Sequence, residues 1–272
     1  MLTQHAAGPR KVMALSSQVA HGHVGLSAAV PVLHLLGCAV TAVPTVMLSN
    51  HPGWPHVAGH AVPPGDIDRM IDALEANGWL AGHDALLTGY LPGAGHVDLA
   101  ARLIARIKAL NPGAEIVVDP VLGDAPKGLY IDPAAASAIR DQLVPLADIV
   151  TPNMFELGWL TGRTTDTLDA CRDTAQAAAT AWGARVLTTS APAGENLTGC
   201  LDSGPDGSTL IAVPLQQDVP HGVGDVFSAL IAAGRTPAQA LGHLQALIAG
   251  SLNAPHLRIV ETAGTWCHAP AL

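Results

Sequence analysis

His221-Gly222-Val223-Gly224-Asp225 runs directly into Val226-Phe227-Ser228-Ala229-Leu230-Ile231-Ala232-Ala233, so two glycines and a carboxylate open an apolar helix pattern. Glycines at such a start let backbone N–H groups approach an anion closely, and the helix dipole adds to the attraction. A carboxylate there also serves as an ordinary cap. In a phosphoryl-transfer reading, the Gly222, Val223 and Gly224 amides hold the group in flight while Asp225 accepts the proton of the attacking hydroxyl. The turn by itself leaves both readings open. No G-x-G-x-x-G opens a helix after the first strand, and G-x-x-x-x-G-K-[ST] and G-x-S-x-G are absent from the chain. Dinucleotide, P-loop and serine-elbow chemistry therefore lose their ground, and phosphoryl transfer without a P-loop stays open.

A second set of polar residues closes apolar runs. Ser17, Thr45, Gly89-Tyr90, Asp119 and Thr151-Pro152-Asn153 each follow a stretch rich in Val, Ile, Leu or Ala. Ligands of open α/β sheets lie beyond the carboxyl ends of the strands, so these residues would gather along one rim. Each has a plainer reading: Asp119 before Pro120 suits a strand-ending turn, Glu156 suits the first turn of a helix, and Tyr90 suits packing. Histidines offer a rival. His51, His56 and His60, or His21 and His23, are metal-ligand types, but the Pro/Gly-rich loop gives no helix face to converge them and no cysteine follows. A loop role is expected, with His51 beside a ligand ring.

The elements that must position these residues alternate. Strands are predicted at Val12–Leu15, Ala39–Leu48, Ala85–Thr88, Ile116–Val118, Asp148–Val150 and Val186–Thr188, with a further extended piece at Val57–Val62. Between them, Ile67, Met70, Ile71 and Leu74 have helical spacing, with Asp66 as N-cap and Gly78 as stop. Leu99, Leu103, Ile104, Ile107 and Leu110 line another helix, and further helices are predicted near Pro133–Leu146 and Leu168–Trp182. Such alternation calls for a mainly parallel sheet with helices on both faces. Leu197–Asp202 and Ser208–Val213, around Gly204-Pro205-Asp206-Gly207, form an antiparallel hairpin, and Thr236-Pro237-Ala238-Gln239 is a capping box. No repeat or linker divides the chain, so residues 1–272 are expected to form one domain.

Composition narrows the function. The 272 residues carry 13 Lys plus Arg against 22 Asp plus Glu, a net charge of −9, which excludes a generic nucleic-acid binder. Charged residues make up only 13% of the chain, so any anionic ligand must be held by local geometry. Cys38, Cys171, Cys200 and Cys267 are too far apart for a CxxC site and are expected to be reduced and buried. Met1–Lys11 lacks a leader pattern and no apolar run suits a membrane span, so a soluble cytoplasmic protein is expected.

Taken in order, the motifs resemble the pyridoxal kinase family of the ribokinase-like superfamily. The resemblance rests on Ser17-Gln18-Val19 with Gly22-His23-Val24-Gly25, Thr45 to His51 with its Ser49-Asn50-His51, Thr88-Gly89-Tyr90, Asp119-Pro120-Val121-Leu122-Gly123-Asp124, Thr151 to Glu156 and Gly222-Val223-Gly224-Asp225, and runs from about Val12 to Ala249. It implies a three-layer α/β/α sandwich with a small antiparallel lid or hairpin, ATP and Mg²⁺ as cofactors, K⁺ as a further cation, and a homodimer. The implied activity is phosphorylation of the 5′-hydroxyl of pyridoxal, and of pyridoxine and pyridoxamine. Asp225 would be the base and Gly222 to Asp225 the anion hole. Asp119, Thr151, Asn153, Thr189 and Ser190 would lie on the nucleotide side, with Glu156 and Asp119 toward Mg²⁺ and Asp124 toward the monovalent ion. Ser17, Thr45, Tyr90 and His51 would contact the pyridine. An acidic chain needs a metal to offset a polyphosphate, and Asp119 and Glu156 are oxygen ligands of the type a hydrated Mg²⁺ accepts. The chain departs from the pattern at Thr188-Thr189-Ser190, where some relatives carry lysine, at Met47-Leu48, where Gln-Phe is common, and at Leu26, which replaces a usual Asn. The last two put substrate preference in question. The alternatives are a hydroxymethylpyrimidine kinase of the same superfamily and a non-catalytic B6-vitamer-binding protein on the same fold.

Overall fold

The computed structural model describes residues 8–272, so the reading of residues 1–7 as lacking a leader pattern lies outside it. The chain opens with β1 (Lys11–Val19), α1 (Leu26–Leu35), β2 (Ala39–Leu48), β3 (Gly59–Ala61), α2 (Pro64–Ala76), β4 (Ala85–Thr88) and α3 (Ala94–Leu110). Next come β5 (Glu115–Val118), the short strands β6 (Gly123–Asp124) and β7 (Gly128–Leu129), α4 (Pro133–Ala138), β8 (Ile149–Val150), α5 (Met154–Thr161) and α6 (Leu168–Trp182). The rest is β9 (Arg185–Pro192), β10 (Leu197–Gly204), β11 (Gly207–Pro214), α7 (Val223–Ala232), α8 (Pro237–Ala249) and α9 (Ala263–Trp266).

One sheet runs in the order β11-β10-β9-β8-β5-β4-β1-β2-β3. Its interior pairs are parallel, whereas β3, β10 and β11 run antiparallel at the two edges. The strands alternate in burial direction. In β1, Val12 and Ala14 join Leu26, Phe227, Leu230 and Leu247 on one face, while Met13 and Leu15 join Ile67, Leu99, Leu103 and Ile107 on the other. Period-two alternation thus feeds both helical layers from the same strands, which gives the three-layer α/β/α sandwich. Among the described residues, no helix is long and apolar enough to cross a membrane.

Several sequence expectations change in detail. Asp66 is not the N-cap of α2: Pro63 holds that place, because Pro64 presets the first helical dihedral and starts the helix three residues earlier. The helix predicted over Pro133–Leu146 stops at Ala138 and continues as a wide turn and a 3₁₀ turn, where Pro145 removes a donor. The extended piece at 57–62 shrinks to Gly59–Ala61. The 197–214 hairpin is no separate flap, since β10 also pairs with β9 and prolongs the main sheet. The β6–β7 hairpin is an addition to the predicted elements, and α5 gives bounds to the helix that Glu156, as a first-turn carboxylate, only implied.

The order of strands sets the site. The chain leaves β1 to β2 on one side and returns to β4 on the other, so a crevice opens beyond the carboxyl ends of β1 and β4.

Candidate active site

The glycine turn is built by backbone conformation. Gly222 caps α7 with φ 102°, and a Cβ there would collide with the carbonyl of His23, so only glycine lets the turn press on the β1–α1 loop. The first amides of α7 then face the cleft without acceptors from a preceding helical turn. Gly25, at φ 55°, repeats the device: a Cβ would meet the Ser17 hydroxyl and carbonyl. This close packing brings Ser17, Gly25 and Asp225 together, because the Gly25 amide donates toward the Asp225 carboxylate.

Asp225 sits half-buried in the first turn of α7. Desolvation pushes its pKa up to about 6, against the pull of the Gly25 amide and its own. At neutral pH it is ionised and a stronger base than a solvated aspartate.

Asp119, buried at the end of β5, accepts from Ser228 Oγ at 2.8 Å. With its proton spent there, Ser228 accepts from Thr151 Oγ1 at 2.9 Å, so three segments far apart in sequence are tied in one buried chain. Burial, then the neighbouring charges of Glu156 and Asp225, hold the Asp119 carboxyl well above the usual carboxylate range. Asn153 and Glu156 form a reciprocal capping box at the start of α5: Glu156 N donates to Asn153 Oδ1 at 2.9 Å and Asn153 N to Glu156 Oε2 at 2.8 Å. Glu156 Oε1 also accepts from Leu122 N at 2.8 Å, and Asn153 Nδ2 donates to Gly123 O at 2.8 Å, so the same pair ties the start of the β6–β7 hairpin to α5. Burial raises the Glu156 pKa to about 7 despite these amides.

Thr189 lies beside Asn153, its amide donating to Pro152 O at 2.9 Å, and Ser190 follows it, exposed, with φ 55°. Thr151, Asn153, Thr189 and Ser190 therefore line one side together. Thr45 is fully buried and its hydroxyl donates to Tyr90 O at 2.7 Å, so it fixes the Tyr90 backbone; Tyr90 itself is half-buried. His51 sits on the loop after β2, with Nδ1 accepting from Gly53 N at 3.0 Å. Asp124 is partly exposed on β6; its Oδ1 is buried without a partner, and Oδ2 is 3.9 Å from Lys127 Nζ. Sequence reasoning missed Ser16, whose hydroxyl accepts from Tyr90 N at 3.0 Å, and Ser228. The position of Ser228 one turn after Asp225 was the available signal for the latter.

The metal expectation can be tested on these groups. The charges of Glu156 and Asp225 act on Asp119, that of Asp124 acts on Glu156, and Asp124 keeps an orphaned oxygen. Among the described residues, no cluster of three or more ligand-type side chains forms a ready metal cage, the histidine loop included. That donor set fits a hydrated divalent cation shared with phosphates, which takes one or two carboxylates.

Comparison with known proteins gives a consistent result. A family model described as phosphomethylpyrimidine kinase matches residues 20–250. A pyridoxal kinase of Leifsonia xyli subsp. xyli is 37% identical over 226 residues, covering 82% of this chain and 80% of that protein. A pyridoxine/pyridoxal/pyridoxamine kinase of Bordetella bronchiseptica is 38% identical over 238 residues, again 82% and 80%. The pyridoxal kinase of Leishmania donovani, solved in complex with ADP and pyridoxamine, superposes with a TM-score of 0.89 at 30% identity, covering 97% of each chain.

Proposed function

The chain belongs to the phosphomethylpyrimidine kinase family, together with the pyridoxal kinases it matches over 82% of its length, and we propose that it is an ATP-dependent kinase of B6 vitamers. It transfers the γ-phosphoryl group to the 5′-hydroxyl of pyridoxal, and of pyridoxine and pyridoxamine. The observation that carries this reading is Asp225, a desolvated carboxylate in the first turn of α7, beside glycine amides that open toward the crevice.

In the reaction the vitamer hydroxyl attacks the γ-phosphorus in line, the bond to the β-phosphate oxygen breaks, and Asp225 takes the hydroxyl proton. The Gly222, Val223 and Gly224 amides donate to the oxygens of the group in flight. Asp119 and Glu156 would hold Mg²⁺, which when bound offsets the charge of the polyphosphate. Thr151, Asn153, Thr189 and Ser190 line the nucleotide side. Ser17, Tyr90 and His51 face the ring from the other side, with Thr45 holding Tyr90 in place. The orphaned oxygen of Asp124 supports a further cation, K⁺ among the candidates.

One continuous sheet supports a single working unit over residues 1–272. Cys38, Cys171 and Cys200 are buried as expected while Cys267 is half-buried, and the four free thiols support a reducing, cytoplasmic setting. The homodimer rests on the family resemblance alone. The family model's own description favours a second reading, phosphorylation of hydroxymethylpyrimidine by the same catalytic turn.

Purified protein with MgATP and each of pyridoxal, pyridoxine and pyridoxamine, followed by chromatography of the phosphorylated product, tests the proposal. Formation of pyridoxal 5′-phosphate with one ADP released per product is expected. Vitamer binding without ADP release would assign a sensor instead.

A further inference from the structure

The loop after β2 is joined to the body at its base, where His21 N donates to Ser49 O at 2.9 Å. Farther out it leans on rings. His51 stacks on His221 with centroids 4.1 Å apart, and Trp54 lies against His256 with centroids 5.9 Å apart and planes 48° from parallel. A cavity of about 360 Å³ lies between the loop residues Asn50, Trp54 and His56 and the body residues His21, Pro255 and His256. Ring contacts rather than close packing therefore set where the outer half of the loop stands.

His256 is presented by a fixed segment that follows α8. Ser251, fully buried, donates its hydroxyl to Leu247 O at 2.7 Å and accepts from Arg258 N at 2.9 Å, which closes the segment on itself. Leu257 and Ile259 are buried in the core on either side of that bond. The half-buried ring of His256 then rests on the β1–α1 loop: a Cβ on Gly22, at φ 92°, would meet His256 Nδ1 at 2.8 Å, and His21 meets the ring edge-on with centroids 4.7 Å apart. Burial, then the neighbouring His21 and His23, hold the His256 pKa below its ordinary value, so at neutral pH the ring is uncharged and packs as an aromatic. The next residue, Leu257, supports the glycine turn, since a Cβ on Gly222 would come within 3.2 Å of its Cδ1.

We propose that His256 is a positioning residue for vitamer binding, which holds the loop after β2 in place through Trp54. The path from His256 to the vitamer side is short. Trp54 N donates to His51 O at 3.2 Å and Gly53 N to His51 Nδ1 at 3.0 Å, so the turn that carries Trp54 also sets the His51 ring. Fixing the tip at Trp54 thus fixes His51, while the same segment, through Leu257, backs the turn that opens α7. The loop and the glycine turn are in this way registered against one support, and His256 is the part of that support that acts on the loop alone.

The inference rests on the kinase reading, and its test separates the two. Amide hydrogen exchange of the full chain, without any ligand, reads the loop directly through Gly53, Trp54 and Ala58, whose amides donate within it. In His256→Ala these amides are expected to exchange about 2- to 10-fold faster than in wild type, the worth of one aromatic pair. KM for pyridoxal should rise by a similar factor, with kcat and KM for ATP little changed. His256→Phe, which keeps a ring and loses the imidazole nitrogens, should restore both the protection and the KM. Trp54→Ala should loosen the loop as much as His256→Ala, and the double variant no further, because both remove the same contact. Loop exchange unchanged in His256→Ala, additive effects in the double variant, or a fall in kcat at constant KM would each overturn the proposal while leaving the kinase reading intact. A wild type that phosphorylates no vitamer would contradict the kinase reading and with it the role in vitamer binding, whereas the exchange data would still show whether His256 holds the loop.

Discussion

The two rims of the crevice are held in different ways. On the nucleotide side, Asp119, Ser228, Thr151 and Glu156 are buried and joined by bonds between residues 34 to 109 positions apart in sequence. On the lid side, bonds are short-range: Ser49 Oγ donates to Asn50 Oδ1 at 2.6 Å, Ala58 N to Ser49 Oγ at 3.0 Å, and Asn50 Nδ2 to His56 O at 3.0 Å. Trp54 and Val57 are each 45% exposed, and the loop meets the body through ring contacts and, at its base, through His21 N donating to Ser49 O at 2.9 Å. The difference teaches that the groups proposed for phosphoryl transfer are fixed by the fold itself. The loop after β2 is held largely by its own short-range bonds, so on the proposed reading it can change without disturbing the phosphoryl-transfer groups.

The largest effect should come from the rigid rim. Asp225→Asn is expected to lower kcat by about 10²- to 10⁴-fold with nucleotide affinity little changed, as measured by turnover and calorimetry. Loss of binding in step with turnover would make Asp225 a structural cap and collapse the contrast. Next, Ser228→Ala leaves Asp119 and Thr151 without their shared partner and should cost about 1–3 kcal/mol in denaturant unfolding. Stability unchanged by this variant would show that the buried chain does not fix the rim.

A pH experiment sharpens the same point. Glu156 titrates near 7 in the folded protein against an ordinary value of 4.5, so between these limits the native state binds more protons than the unfolded chain. Its contribution to stability therefore falls as pH rises from about 4.5 to 7. A cation held by the ionised carboxylate should relieve that loss, so added Mg²⁺ should raise Tm more at pH 8 than at pH 6. The smallest stability effect belongs to the lid: Trp54→Ala should change unfolding free energy by no more than about 0.5 kcal/mol while raising KM for pyridoxal. A large stability loss there would erase the distinction between the rims.

The sequence made the frame legible where local rules act alone. Ala39–Leu48, Ala85–Thr88 and Leu168–Trp182 read directly from apolar runs and helical spacing, and Asp119, Thr151 and Asn153 read as strand-end polar residues. Ser228 did not, because it looks like one more small residue on an apolar helix until folding sets it between Asp119 and Thr151. The amides that Glu156 serves at Leu122 and Gly123 are equally invisible, since a capping box announces only its own turn. The eight-residue α5 showed only through Glu156 as a first-turn carboxylate because it is too short to show a period, and β6–β7 escaped notice because each strand has two residues. The His51–His221 stack joins two loops whose sequences carry no sign of each other.

The central claim is that this crevice phosphorylates a B6 vitamer. Its most direct test is a competition reaction in which purified protein and MgATP act on an equimolar mixture of pyridoxal and hydroxymethylpyrimidine, with both phosphorylated products separated and quantified at early times. Pyridoxal 5′-phosphate in large excess is the predicted result, whereas a predominance of the pyrimidine phosphate, or no phosphorylated product at all, would contradict it.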